Sequence, residues 1–470
     1  MADTTQDDIK YIGLDTIKDE NIDIDSKQNE ENDNTYEGDA TETLKFFEDD
    51  FELDRKNLNW CERYFSPIRG GSLRGSVITF ASMCFGTAGL SLPRAMENVG
   101  LISGTIMFLG LTLLCYWSLY ILLVAARAKK VMNYSKVIEL YLGSKMSLVL
   151  DITNWFFCFG VLMVYIFTIS SFSMDILNVL FGIDKEDKTA RFIQMMTLMI
   201  LFQIPLGFLK NMSKLQYAGM VGVFVFIYTT FVIFIESFFY FKEGTNEGRK
   251  IELFKDLNWS FFDSFSIFLY CYASHNGIFP IYSELKQPTK RRTFTVLKRA
   301  VLTQFVTFSI ICYSGFFSLV EKNDSIFILR PDLKIFDGVD YFMFFAKFIY
   351  IFNLSASGAI VFNIIRTAAT GLFYKNKGQL PFKYDTALII ATFIFANVLT
   401  FFVSNVVQII GVVGGLCGTM MSFILPILCY VESTGLPKTH PKSLFFLFLM
   451  FLIAVVGLIS TGKSLISLFK

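Results

Sequence analysis

Between Phe80 and Glu97 the chain reads FASMCFGTAGLSLPRAME, a run apolar enough to enter a bilayer but unable to stay helical through its middle. Gly86-Thr87-Ala88-Gly89 exposes backbone at two glycines, and Pro93 just beyond removes a donor. Unwound backbone in hydrocarbon leaves N–H and C=O groups without partners. Such a break persists only where protein or a water-filled cavity covers it. A bundle of uninterrupted spans is therefore excluded, and the freed backbone groups can bind something polar.

A second stretch repeats the pattern. Phe261 to Glu284 reads FFDSFSIFLYCYASHNGIFPIYSE, where Ser274-His275-Asn276-Gly277 and then Pro280 interrupt an apolar run. Two broken helices in matching positions of two halves are the sequence pointer to a secondary transporter built from inverted repeats, with its binding site at the breaks.

The rest of the composition agrees. Of 470 residues 53% are apolar and 18% charged, with 54 Phe, which predicts an all-α polytopic membrane protein and leaves no basic surface for nucleic acid. The net charge of +1 conceals an asymmetry: residues 1–52 carry 18 Asp/Glu against 4 Lys/Arg. Residues 1–70 are expected to be an acidic, mostly disordered cytoplasmic tail, serving either as a tether or as the binding segment for a cytoplasmic partner. The eight cysteines fall in or just before apolar spans with no metal-ligand or disulfide spacing, so no cofactor is expected.

Counting runs near the roughly 20 residues needed to span predicts eleven transmembrane helices. They lie at about 76–97, 101–126, 146–172, 191–209, 215–240, 261–285, 294–320, 341–371, 384–404, 405–431 and 444–468, with Asn397 to Asn405 as the turn between the ninth and tenth. Short loops on one side hold 19 Lys/Arg against 10 on the other, which places the amino terminus in the cytoplasm and Asn323-Asp324-Ser325 outside as a glycosylation acceptor. Helices 1–5 cover about 73–240, helices 6–10 about 259–431 and helix 11 about 444–468. Because five is odd, the second half inverts relative to the first, giving a 5+5 inverted repeat with discontinuous helices 1 and 6 and one extra C-terminal helix.

Phe85-Gly86-Thr87-Ala88-Gly89-Leu90-Ser91-Leu92-Pro93 resembles the first-helix signature of the amino acid/auxin permease family. Ser274 to Leu285, SHNGIFPIYSEL, followed by Lys290-Arg291-Arg292, is similar to the sixth helix of the sodium-coupled neutral amino acid transporters of that family, within the amino acid-polyamine-organocation superfamily. The resemblance covers about residues 70–465 and implies a LeuT-like fold that cotransports amino acids with sodium or protons. Sodium-using members tend to carry Asn where this chain has Ser82 and Thr where it has Ser355 and Ser357, and relatives commonly have an aromatic at Arg94.

These readings nominate a site. Gly86, Thr87, Ala88 and Gly89 of the first break, with Tyr272, Ser274, His275, Asn276 and Gly277 of the second, are expected to hold an amino acid. Its carboxylate would face the N–H groups of the helix that resumes after Gly89, and its ammonium the carbonyls near Cys84 to Gly86 and Ala273 to Asn276. The two glycines either admit the ligand to the backbone or let helices pack closely. Phe157 is expected to cover the substrate or to be ordinary packing. Ser82, Ser355, Ser357 and His275 are the ion-coupling candidates, His275 because its unperturbed pKa lies near the working pH. Arg94 and Glu97, one turn past the break, are placed as a gate; Glu236, Asp263 and Arg366 are expected to snorkel from helix ends.

An integral-membrane enzyme would need paired intramembrane carboxylates, a histidine-rich metal box or a serine with a base, and the spans hold a single histidine. The remaining alternatives are an amino acid sensor signalling through the tail and an uncoupled facilitator, in the plasma membrane or a vacuolar or lysosomal one.

Overall fold

The computed structural model describes residues 71–209, 212–242, 250–256, 258–285, 288–319, 326–330, 339–373, 381–435, 437 and 439–468. The acidic tail and Asn323-Asp324-Ser325 lie outside the described residues.

The described chain is helical throughout. In order it forms α1 (Leu73–Cys84), α2 (Leu92–Val99), α3 (Leu101–Ala128), α4 (Tyr134–Leu142), α5 (Ser144–Phe181), α6 (Lys188–Gly207) and α7 (Met212–Lys242). There follow α8 (Ser260–Cys271), α9 (Ile278–Glu284), α10 (Lys290–Ser318), α11 (Tyr341–Phe373), α12 (Phe382–Phe401), α13 (Val406–Ser433) and α14 (Pro441–Leu468).

Among the described residues nine of these helices, α3, α5 to α7 and α10 to α14, are long and apolar enough to cross a membrane. The pair α1 and α2, bent by 52°, makes a tenth. The expected sixth span appears as α8, of 12 residues, and α9, of 7. At about 1.5 Å per residue neither half reaches across a bilayer alone.

One boundary differs from the sequence expectation. Asn397 does not open the turn before α13; it is fully buried inside α12, where its amide donates to Gln203 Oε1 at 2.9 Å and to Phe393 O at 2.8 Å. The turn is confined to residues 402–405, and Asn405 caps α13 by accepting from Val407 N at 2.9 Å. A buried amide satisfied by a neighbouring helix does not interrupt its own.

The broken helices occupy the centre. α1 packs on α7, α9 and α10, α2 on α8 and α10, and α8 on α13 and α14, while α11 packs on both α5 and α7 beside them. Gly100, at φ 88°, makes the sharp turn from α2 into α3. Its left-handed backbone lets residues 252–255 lie across the start of α3, where Leu101 N donates to Glu252 O at 3.0 Å and Ile102 N to Leu253 O at 2.9 Å. Two otherwise orphaned N–H groups of a helix start are satisfied in this way.

Candidate substrate and ion site at two helix breaks

The first break begins where α1 ends at Cys84. Phe85 N turns back to Ser82 O at 3.1 Å, Gly86 N to Cys84 O at 2.8 Å, and Gly86 is extended at φ −121°, ψ −166°. A tight 3₁₀ turn, Thr87–Ser91, then leads into α2 with Pro93 in its first turn. Pro93 is tolerated there because the N–H it lacks would have no helical partner. Phe85 anchors the break, stacked on Phe226 with centroids 4.7 Å apart and edge-on to Phe308 at 5.9 Å. Aromatic pairs of this kind contribute about 0.5–1.5 kcal/mol beyond burial.

The two glycines have different surroundings. A Cβ on Gly89 would lie 2.8 Å from Phe226 Cζ and 3.1 Å from Phe308 Cε1, so this glycine serves close packing. A Cβ on Gly86 would meet only Tyr165, at 3.7 Å from its hydroxyl. Gly86 faces the more open side. Thr87 and Ala88 are buried, and Thr87 Oγ1 has no hydrogen-bond partner.

The second break runs from Tyr272 to Gly277 through short turns, with Ser274 N donating to Tyr272 O at 2.8 Å and Gly277 N to Ser274 O at 2.9 Å. Ser274 lies beside the Cys84 thiol with its Oγ buried and unpartnered, and Gly277 abuts Met83, so the two breaks meet. Tyr272 is buried edge-on to Phe308 at 5.6 Å and belongs to the aromatic packing around the first break. Asn276 Nδ2 donates to Asn154 Oδ1 on α5 at 2.6 Å. Phe157, one turn further along α5, lies 5.8 Å from the Tyr270 ring.

His275 is buried and points at α3, its Nε2 3.2 Å from Ser118 Oγ. Ser118 in turn donates to the Ser422 carbonyl of α13. That pairing assigns the imidazole proton to Nε2, and Nδ1, which has no hydrogen-bond partner, becomes the free acceptor.

The serines expected to couple an ion are not gathered by hydrogen bonds among the described residues. Ser82 donates to Thr79 O and Ser355 to Ile351 O, both at 2.7 Å, and Ser357 is half-buried on α11. These bonds occupy the hydroxyl protons and leave the oxygen lone pairs that a cation would use. Arg94 Nη1 lies 3.3 Å from Glu97 Oε1, with Arg94 half-exposed and Glu97 buried. Arg94 also acts on Asp263 of α8, which is paired with Lys463 of α14. The expected gate is thus part of a charge cluster spanning three helices.

Two expected snorkelling residues are instead inside. Glu236 and Arg330 are both buried and paired with each other, and Arg366 pairs with Asp385 at 2.7 Å. Long-range partners make burial tolerable where the span position alone suggested an escape to water. Sequence reasoning also missed Asn154 and Asn353. Both are amides inside apolar runs, and a search for polar as well as ionisable residues within the spans would have found them. Asn353 is buried on α11 with Oδ1 unpartnered beside Gly222.

An all-helical, multi-span protein with a broken helix whose break meets a second one at mid-chain has the architecture of a membrane transporter. Its fold is similar to that of a Na⁺-coupled sialic acid symporter, at a TM-score of 0.51 and 14% identity, covering 84% of this chain and 88% of that one. The sequence profile described as "Transmembrane amino acid transporter protein" matches residues 69–469, and the chain belongs to that family. It is 23% identical to the putative amino acid transporter AAT1 of Plasmodium berghei, over 88% of this chain and 76% of that protein. It is 20% identical to vacuolar amino acid transporter 2 of Saccharomyces cerevisiae, over 84% and 83%. Against the putative amino acid transporter AAT1 of Toxoplasma gondii it is 27% identical over 58% of this chain, a match that spans 37% of the Toxoplasma protein. The family and these relatives are transporters, not enzymes.

Proposed function

We propose that this chain is a secondary active transporter that moves amino acids across a membrane by alternating access, driven by a proton or sodium gradient. The observation that carries this reading is the meeting of the two breaks, where Ser274 lies beside Cys84, Gly277 abuts Met83, and a Cβ on Gly86 would meet only Tyr165 at ordinary contact distance. The amino acid lies between them. The first N–H groups of the Thr87–Ser91 turn take its carboxylate, and carbonyls freed at Cys84 to Gly86 and Ala273 to Asn276 take its ammonium. Thr87 Oγ1 is a further donor within that turn.

The wider arrangement is eleven spans in a 5+5 inverted repeat, α8 and α9 together forming the sixth and α14 standing outside the repeat. The amino terminus is cytoplasmic, and the membrane is that of the cell surface or of a vacuole or lysosome; the vacuolar relative supports the latter. His275, with one nitrogen anchored and the other unpartnered, favours the proton as the coupled ion. Ser82, Ser355 and Ser357 would ligate sodium instead.

The test is uptake of a radiolabelled amino acid panel into proteoliposomes holding the purified chain, under a pH gradient or a sodium gradient applied separately. Accumulation under one gradient identifies the ion. Equilibration without accumulation makes the chain a facilitator, and no flux from folded protein overturns transport in favour of sensing.

A further inference from the structure

The interface between α13 and α14 carries a feature that substrate binding does not use. Along α13, Gly411, Gly415, Thr419 and Ser422 recur at one-turn intervals on the side that faces α14 and the centre. The antiparallel α14 answers with Ser464 against Gly411, Thr461 against Gly415 and Gly457 against Thr419. Small residues at such spacing bring helices close, and packing alone would explain the glycines.

It does not explain the hydroxyls. Thr419 Oγ1, Ser422 Oγ and Ser464 Oγ are buried, unpartnered side-chain atoms, with Thr419, Ser422 and Ser464 exposed by 2%, 0% and 2%. Two of them are aimed into the seam: a Cβ on Gly457 would lie 2.5 Å from Thr419 Oγ1, and Ser464 Oγ abuts Gly411. Between them Ser266 of α8 and Ser460 of α14 share a hydrogen bond of 2.5 Å. Buried polar atoms are almost always satisfied, so these hydroxyls are positioned to bond one another or a bridging water.

The two ends of the seam are chemically distinct. One is the half-exposed Asp263–Lys463 pair, with Arg94 and Glu97 of α2 beside it. The other is His275, reached through Ser118, whose hydroxyl bonds Ser422. Near that end the titratable groups are Tyr134 of α4, which donates to Met421 O at 2.7 Å, Cys115 of α3, Cys84 of α1, and Cys271 and Tyr272 of α8 and its end. No charged side chain acts on His275 among the described residues.

We infer that the α13–α14 seam is a proton path joining Asp263 to His275, a reading that rests on proton coupling. A proton received at His275 Nδ1 from the break releases the Nε2 proton to Ser118. Ser118 turns its own proton from the Ser422 carbonyl to Ser422 Oγ. Each hydroxyl or bridging water then accepts one proton and passes on another until Asp263 takes it. The reverse flow uses the other imidazole tautomer. Only O–H and N–H bonds are exchanged, and one proton moves in net.

Proteoliposomes of the full chain carrying an interior pH dye test this path with two substitutions at one position. Thr419→Val removes a hydroxyl with no protein partner and keeps the shape, whereas Thr419→Ser keeps the hydroxyl. Thr419→Val should lower proton influx and pH-driven accumulation by at least about tenfold, in line with the loss of a positioned proton-transfer group. Gradient-free exchange of labelled amino acid should stay at the wild-type rate, and Thr419→Ser should retain influx. Ser460→Ala should behave as Thr419→Val does. Unchanged influx in both Thr419→Val and Ser460→Ala overturns the path, as does equal loss of exchange and influx in folded Thr419→Val. A wild-type chain driven by sodium alone overturns the proton reading beneath it, and a wild-type chain with no amino acid flux overturns transport itself.

Discussion

Asn276 in the second break donates its amide to Asn154 Oδ1 on α5 at 2.6 Å, a bond between residues 122 positions apart that ties the unwound segment to a helix of 38 residues. Asn154 also receives the Cys158 thiol at 3.8 Å, so its carbonyl is oriented from its own helix. Replacing Asn154 with Ala leaves the Asn276 amide unsatisfied, a loss of about 1–3 kcal/mol. Apparent substrate affinity in uptake assays should fall by about tenfold, with the protein still monodisperse in size-exclusion chromatography. Asn154→Asp, which keeps the acceptor, should lose less.

The two glycines of the first break should separate stability from transport. Gly89→Ala forces a methyl group into Phe226 and Phe308 and should lower stability by about 1–3 kcal/mol, read as a depressed melting temperature in detergent. Gly86→Ala meets only ordinary contact with Tyr165, so its melting temperature should stay near wild type. Its uptake should nevertheless drop, because the methyl group occupies the open side of the break. Equal melting temperatures for the two variants would contradict this division.

Arg330 and Glu236 form a pair buried from both sides, with Arg330 over the Tyr240 ring at 4.3 Å. Arg330→Leu strands a carboxylate and should cost about 3–5 kcal/mol. The double substitution Arg330→Leu with Glu236→Leu should recover much of that loss, since the carboxylate stranded by the single change is removed with its partner. Thermal unfolding of the single and double variants, with the Glu236→Leu single variant completing the cycle, measures the coupling.

Ser82 and Ser355 donate only to carbonyls one turn back on their own helices. Their conversion to Ala together should leave both helices folded. Under proton coupling, accumulation driven by a pH gradient should match wild type. Loss of that accumulation in folded protein would instead assign the two hydroxyls to the coupled ion.

The local chemistry of the breaks was legible in residue order alone. Glycine, proline and short polar residues inside an apolar run cannot continue a helix, so both interruptions lie where Gly86 and Ser274 to Gly277 predict them, and the long apolar runs between them became helices. What residue order left open is which way each side chain faces, because an apolar run without an amphipathic pattern carries no direction. Gly86 and Gly89 read alike, yet only the packing of Phe226 and Phe308 distinguishes them. Glu236 and Arg366 lie close to helix ends and read as snorkelling residues, until Arg330 and Asp385 arrive from other parts of the chain. Asn397 looked like a turn residue until Gln203, 194 positions away, satisfied its amide. The sequence determines where the backbone must break, since that follows from each residue's own torsional freedom and hydrogen-bonding groups. Only the tertiary structure decides which buried polar group meets which, since those partners are supplied by helices distant in sequence.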